Sequence, residues 1–353
     1  IAFFDTKPYD RFFFDEANRE ARFGFDIQYY ETRLTAASAR IVEGAKVVCA
    51  FVNDNLDAEA IRILHDLGVE LIAMRCAGYN NVNLAEAYGK LRVVRVPEYS
   101  PHAVAEYTLG LLLTLNRNLH RAYCRVRENN FSINGFLGFD LYGKTIGIVG
   151  TGKIGRTFAE LLQGFGMRIL AYDLYPNTEL AERLHLEYVP LDVLFRESDI
   201  ISLHCPLTPD NRYMINKESI ATMKPGVFIL NTSRGALIDT QALIKGLKKK
   251  QIGGAGLDVY EEETDYFFED RSDSAIDDDV LARLMTFPNV LITSHQAFFT
   301  REAERNIAKI TLDNVLDYFY KRPLANEICR DCDGKRSCPG KPNGSSCKHT
   351  GNA

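Results

Sequence analysis

Thr145-Ile146-Gly147-Ile148-Val149-Gly150-Thr151-Gly152-Lys153-Ile154-Gly155 is the stretch that decides the fold. A short strand-forming run enters G-x-G-x-x-G directly, and a helical pattern follows from Lys153 with Ile154, Phe158 and Leu161 expected on one face. In that setting each glycine has a separate job. Gly150 allows a tight turn, Gly152 lets the backbone approach a pyrophosphate, and Gly155 lets the helix lie close to the strand. The helix N-terminus then offers unpaired N–H groups and a partial positive charge to the anion. A second strand-like run, 168–172, ends at Asp173, 23 residues after Gly150. An acid at that spacing suits the ribose hydroxyls of NAD, and its charge repels the 2'-phosphate of NADP.

Outward from this motif the chain alternates apolar, branched runs with helical patterns. Strands are expected near 1–5, 25–31, 47–52, 71–75 and 93–96, with a helix near 56–67. A second series starts at 145–149 and continues at 168–172, 199–204, 227–231, 254–259 and 290–293. Such alternation predicts α/β structure with mainly parallel sheets, here as two units in tandem. Pro97-Glu98-Tyr99-Ser100-Pro101 marks the join, with Ser100 suited to an N-cap and Pro101 to the first helical position. The long helix that follows is nearly all apolar, so it is buried on more than one side, in an intramolecular core or a subunit interface. Near the end, Ala308, Leu312, Val315 and Phe319 predict one more amphipathic helix, stopped by Pro323.

The 353 residues are 46% hydrophobic and 25% charged with a formal net charge of -5, an ordinary globular balance that gives no basic face for nucleic acid. The longest apolar run, 109–115, is too short to cross a bilayer. No signal-peptide pattern opens the chain, so a cytoplasmic protein is expected, with Cys49, Cys76, Cys124 and Cys205 buried and reduced. Four further cysteines, Cys329, Cys332, Cys338 and Cys347, crowd the last 25 residues, amid Gly, Lys, Ser and Pro. This Cys-rich tail, 329–353, reads either as a reduced segment without metal or as a zinc site opened by C-x2-C.

Catalytic groups in open α/β sheets sit past the carboxyl ends of strands. Arg234, Glu263 and His295 follow three of the expected strands. They are the residue types that hydride exchange with a 2-keto acid requires: a cation for the carboxylate, a proton donor, and a charge to tune it. On spacing alone His204, which also ends a strand, rivals His295.

Residues 1–328 resemble the D-2-hydroxyacid dehydrogenase family, most closely its NAD-dependent D-lactate dehydrogenase branch. The resemblance is carried by Arg75-Cys76-Ala77-Gly78-Tyr79-Asn80-Asn81-Val82, by Arg95-Val96-Pro97-Glu98-Tyr99-Ser100-Pro101 and by the glycine motif. It continues through 231–239, Leu257-Asp258-Val259-Tyr260-Glu261-Glu262-Glu263 and Ser294-His295-Gln296-Ala297-Phe298. One departure is the stretch between Asn83 and Val93, a residue shorter than the family's.

The resemblance implies pyruvate and D-lactate as substrate pair, with a larger D-2-hydroxy acid, or an NAD-sensing corepressor-like role, as alternatives. It makes His295 the general acid-base, Glu263 its partner and Arg234 the carboxylate clamp. It puts Ala77, Gly78 and Tyr99 on the substrate side. Lys153, Ile154, Asp173, Cys205, Pro206, Asn211, Thr232, Ser233 and Asp258 join the glycines on the cofactor side, with Asp258 near the carboxamide, and His204 is left structural or adenine-side. The implied architecture is two doubly wound parallel-sheet domains with a cleft between them. A flavodoxin-like substrate domain spans 1–100 plus 299–328, and a Rossmann NAD-binding domain spans 101–298. A hinge-closing cleft and a homodimer or homotetramer are also implied.

Overall fold

Branched apolar runs form two all-parallel sheets. The first contains β1 (Ala2–Phe3), β2 (Gln28–Tyr29), β3 (Val47–Ala50), β4 (Leu71–Met74) and β5 (Arg92–Val94), in the order β2-β1-β3-β4-β5. The second contains β6 (Thr145–Val149), β7 (Arg168–Tyr172), β8 (Leu186–Tyr188), β9 (Ile200–Leu203), β10 (Val227–Asn231), β11 (Ile252–Leu257) and β12 (Val290–Ile292), in the order β12-β11-β10-β9-β6-β7-β8. These are the two common doubly wound orders, flavodoxin-like and Rossmann-like, the latter with one strand added. Helices cover both faces of such sheets, which is why β3 and β4 are apolar at every position and wholly buried. This computed structural model describes residues 1–261 and 266–328. The chain divides into two compact units, Ile1–Ser100 with the chain from Thr300, and Pro101–Phe299.

In the first unit the late helix Arg301–Phe319 packs on the helix Pro8–Glu20 and on β4. Ala308, Leu312 and Val315 are buried as their spacing predicts, but Phe319, in the last turn, is 46% exposed. The helix stops there, before Pro323, with Tyr320 as its C-cap. A buried charged cluster lies under this helix. Arg75 is 3% exposed, lies 4.6 Å from the ring centroids of both Phe3 and Phe51, and donates to Asp10 Oδ1 and to the Asp5 carbonyl. Glu304 is buried against the same group.

The second unit is built around the helix Pro101–Arg117, which begins at Pro101 as expected and packs on the helix Lys153–Leu162 and on β11. Ala105 and Leu112 of the long helix join the core under β6, so its apolar run is intramolecular. Three expectations need correction. The helix Lys153–Leu162 buries Gly155, Phe158, Ala159 and Leu162, while Ile154 and Leu161 are only partly covered. Gly155 lies against the Gly150 carbonyl and His204, so the buried face is rotated toward Gly155 and Ala159 and shares only Phe158 with the one marked by large residues. Strand β11 starts and ends two residues earlier than the apolar pattern suggests. Cys124 is exposed; Cys49 and Cys76 are buried and Cys205 is intermediate.

Candidate active site

Gly150 follows β6 and Cys205 lies just beyond β9, the two strands between which the order of the second sheet reverses. Ligands bind outside the carboxyl ends of strands at such a switch point. The glycines there are required by contact. Gly150 has φ +93, and a Cβ on it would lie 2.8 Å from the backbone of His204 and Cys205. A Cβ on Gly155 would lie 2.0 Å from the Gly150 carbonyl oxygen. Gly152 is the N-cap of the helix Lys153–Leu162 and offers no capping side chain, so an anion has access to the helix N-terminus. Lys153, the first helical residue, is exposed, and Ile154 is partly covered. These features fit a pyrophosphate.

Asp173 lies immediately after β7 and turns back onto the glycine loop. Its Oδ2 accepts from the Thr151 N–H (2.7 Å) and hydroxyl (3.0 Å), and its Oδ1 accepts from the Tyr175 N–H (2.9 Å). Beyond β9, Asn211 Nδ2 donates to the Pro206 carbonyl (2.7 Å), closing the 205–211 turn. Burial pushes the Cys205 thiol up to about 11, so it is protonated and unreactive. Ser233 Oγ donates to the Cys205 carbonyl (2.6 Å) and joins this turn to the loop after β10. Thr232 is buried with its hydroxyl 2.8 Å from that of Thr108.

His204 is a core residue. Its Nε2 lies 2.8 Å from the Ser202 hydroxyl and its ring 5.1 Å from Phe158. Burial lowers it to about 3, which keeps the ring neutral at physiological pH.

Arg234 and His295 lie past the carboxyl ends of β10 and β12, on either side of β11. Both are partly buried. Arg234 Nη1 donates to the Ser233 carbonyl (2.7 Å), and the Arg234 carbonyl accepts from the Asn231 side chain (2.9 Å). His295 has φ +52, a left-handed conformation uncommon in a non-glycine residue. Its ring lies 5.9 Å from that of Phe268.

Asp258, between them at the end of β11, is wholly buried and holds the His295 loop in place. Its main-chain carbonyl accepts from the His295 N–H (2.7 Å). Its Oδ1 accepts from the Thr293 hydroxyl (2.6 Å) and the Gln296 N–H (3.0 Å), and its Oδ2 from the Ala297 N–H (2.8 Å). Burial raises the carboxyl above its ordinary range, opposed by these hydrogen bonds and by His295. Sequence reasoning assigned Asp258 to the cofactor alone; its local work is to fix the backbone that carries His295. Thr293, Thr151 and Tyr188 complete these constellations and were not singled out, because their partners are remote in sequence.

In the first unit Ala77 and Gly78 follow β4 in a loop tied down at several points. Arg95 Nη1 donates to the Ala77 carbonyl (2.8 Å), and Asn81 donates to the carbonyls of Phe51 (2.8 Å) and Asp54 (2.7 Å). The Tyr99 carbonyl accepts from Asn306 (2.7 Å). Glu263 and the tail cysteines Cys329, Cys332, Cys338 and Cys347 lie outside the described residues. Among the described residues no cluster of three His, Cys, Asp or Glu could hold a metal, and no helix is long and apolar enough to cross a membrane.

Fold and site together define a two-unit α/β protein with a dinucleotide crevice in its second unit. Residues 109–297 match the NAD-binding domain of the D-isomer specific 2-hydroxyacid dehydrogenases. The chain is 52% identical to a 2-hydroxyacid dehydrogenase homolog of Haemophilus influenzae, covering 89% of this chain and 95% of the relative. It is 49% identical to the D-lactate dehydrogenase of Escherichia coli, covering 93% and 99%. The solved structure of the pyruvate reductase of Chlamydomonas reinhardtii superposes with a TM-score of 0.87 at 44% identity, covering 92% and 97%. The chain belongs to the D-isomer specific 2-hydroxyacid dehydrogenase family, NAD-dependent oxidoreductases.

Proposed function

We propose that the chain is a D-lactate dehydrogenase, reducing pyruvate with NADH and oxidising D-lactate with NAD. The observation that carries this reading is the placement of Arg234 and His295 past the carboxyl ends of the strands that flank β11, with Asp258 holding the histidine backbone. The name and the near-complete coverage of the Escherichia coli relative support it.

In the proposed mechanism Arg234 receives the substrate carboxylate through its planar fork and polarises the keto group. Ala77 and Gly78 offer backbone N–H groups to the same carboxylate, and Tyr99 is a substrate-side group. Gly150, Gly152, Gly155, Lys153 and Ile154 cradle the dinucleotide, and Asp173 takes the ribose hydroxyls. Cys205, Pro206, Asn211, Thr232, Ser233 and Asp258 are further cofactor contacts, Asp258 near the carboxamide. The nicotinamide, when bound, supplies the hydride to the carbonyl carbon. His295 gives the proton to the carbonyl oxygen and recovers it in the reverse direction, with Glu263 as its partner.

The same reading assigns 1–100 plus 299–328 to the substrate domain and 101–298 to the cofactor domain, in a cytoplasmic protein. A homodimer or homotetramer forms through the cofactor domain, where Leu119, Tyr123, Phe131, Ile133 and Leu137 are exposed. Zinc held by the four tail cysteines would give near one metal per chain in elemental analysis, lost on truncation after Glu327.

The test is NADH oxidation with pyruvate, 2-ketobutyrate, phenylpyruvate and oxaloacetate, with chiral analysis of the product. Pyruvate is expected to have the highest kcat/KM and to give D-lactate, and His295→Gln to abolish turnover while NADH still binds. Preference for a larger keto acid assigns the larger hydroxy acid instead. NADH binding without turnover on any of them refutes the enzyme reading.

A further inference from the structure

The acid at the end of β7 is held by a chain of hydroxyls whose direction follows from counting protons. A carboxylate only accepts, so the Thr151 hydroxyl, 3.0 Å from Asp173 Oδ2, donates its single proton there. The Tyr188 hydroxyl lies 2.8 Å from that same Thr151 oxygen. Thr151 has no second proton, so Tyr188 donates. The result is a one-way relay, Tyr188 to Thr151 to Asp173. Tyr188 is the last residue of β8, an edge strand paired to β7 with Tyr188 opposite Ala171, two residues before Asp173. Thr151 is 6% exposed, so it has little room for another rotamer while the relay is intact.

The relay determines which carboxylate oxygen is available. Oδ2 already receives two protons from Thr151, whereas Oδ1 receives only the Tyr175 N–H and keeps acceptor capacity. We propose that Tyr188 is a specificity-positioning residue: through Thr151 it fixes Asp173 so that one oxygen faces the ribose hydroxyls and the charge stands against a 2'-phosphate. This rests on reading Asp173 as the ribose-binding acid. Without the Tyr188 hydroxyl the Thr151 oxygen loses a donor, and its O–H is free to swing away from Asp173. The carboxylate then loses one anchor, accepts the ribose hydroxyls less well and repels a 2'-phosphate less strongly.

The test compares the full-length protein with Tyr188→Phe, Asp173→Ala and the double variant, measuring Kd for NADH and for NADPH by nucleotide fluorescence. The chain contains no Trp, so indole emission does not interfere. Tyr188→Phe is expected to weaken NADH binding roughly three- to tenfold, the worth of one hydrogen bond. NADPH binding should not weaken in proportion, so the preference for NADH falls. The double variant should match Asp173→Ala, because the relay acts only through that carboxylate. Thr151→Val should shift the preference in the same direction, which keeps the test open if Tyr188→Phe folds poorly. Equal weakening of both nucleotides, or an unchanged preference where Asp173→Ala lowers it, overturns the relay. An unchanged preference in Asp173→Ala itself overturns the ribose reading, and the relay with it.

Discussion

Replacing Asp258 by Asn changes one atom in a wholly buried site, and the hydrogen-bond pattern gives the cost. The carboxylate receives three donors, Thr293 Oγ at 2.6 Å, Gln296 N–H at 3.0 Å and Ala297 N–H at 2.8 Å. An amide has one oxygen. If that oxygen keeps Thr293 and Gln296, the new NH2 faces the Ala297 N–H, donor against donor. If the amide flips, it faces the Gln296 N–H and the Thr293 hydroxyl instead; the hydroxyl can turn and accept, but the N–H cannot. Either way one hydrogen bond to a charged group is lost, about 1.5–3 kcal/mol, and one buried N–H is left without an acceptor, about 1–3 kcal/mol more.

The 294–297 loop can escape part of this cost by moving, and His295 at φ +52 has strain of its own to release if it does. The expected result is a stability loss of about 2–4 kcal/mol in denaturant titration. With it should come a fall in kcat/KM for pyruvate of roughly a hundredfold or more, since each 1.4 kcal/mol of misplacement is a factor of ten. Thr293→Val removes only the Oδ1 hydroxyl contact, so it should show a smaller loss in the same direction. An Asp258→Asn enzyme within about threefold of wild-type turnover would refute the view that this carboxylate positions His295.

Glu304→Gln should alter how stability depends on pH. Burial and the neighbouring Asp10 raise the Glu304 carboxyl to about 8, partly offset by Arg75; Tyr9, Asp5 and Lys7 stand around the same cluster. A folded-state value above the unfolded one, 4.5, means the folded chain holds a proton that the unfolded chain releases between those pH values. Its contribution is therefore full below pH 4.5 and is lost as pH rises to about 8, by up to ~1.4 kcal/mol per pH unit. Denaturant titrations at several pH values should show the Gln variant gaining on wild type as pH rises through this window; a constant difference excludes Glu304 as the source. Gly155→Ala puts a carbon 2.0 Å from the Gly150 carbonyl oxygen and should cost about 1–3 kcal/mol in stability and roughly tenfold or more in NADH affinity. Gly164→Ala, with no atom within 4 Å, is the control and should change neither.

What could be read in advance follows the range of the interaction involved. β6, β7 and β10 are set by local runs of branched residues, and their limits agree with the sequence pattern. β8 was passed over because three residues, Leu186-Glu187-Tyr188, carry too little pattern, and the strand exists by pairing with β7. The buried face of the helix after Gly152 was misjudged for a related reason: large apolar residues mark burial by area, whereas Gly155 and Ala159 are buried by proximity. Arg75, Asp10 and Glu304 give no local signal at all, since their burial depends on partners from distant parts of the chain.

The two histidines show where pattern stops and packing decides. His204 and His295 each follow a short apolar strand, and strand position cannot separate them. In a sheet covered on both faces, alternation places Ser202 and His204 on the same side without saying what covers it. The covering element is the helix Lys153–Leu162, brought close by Gly155, and Phe158 on that helix meets the His204 ring and removes it from water. His295 is only partly buried, on a chain that turns at φ +52 beyond the edge strand β12. The placement of His295 thus depends on Asp258, one strand away, which holds that turn. That anchor is 37 residues from His295 in sequence and reaches it only through the sheet, so the motif alone suggests the chemistry without fixing the geometry.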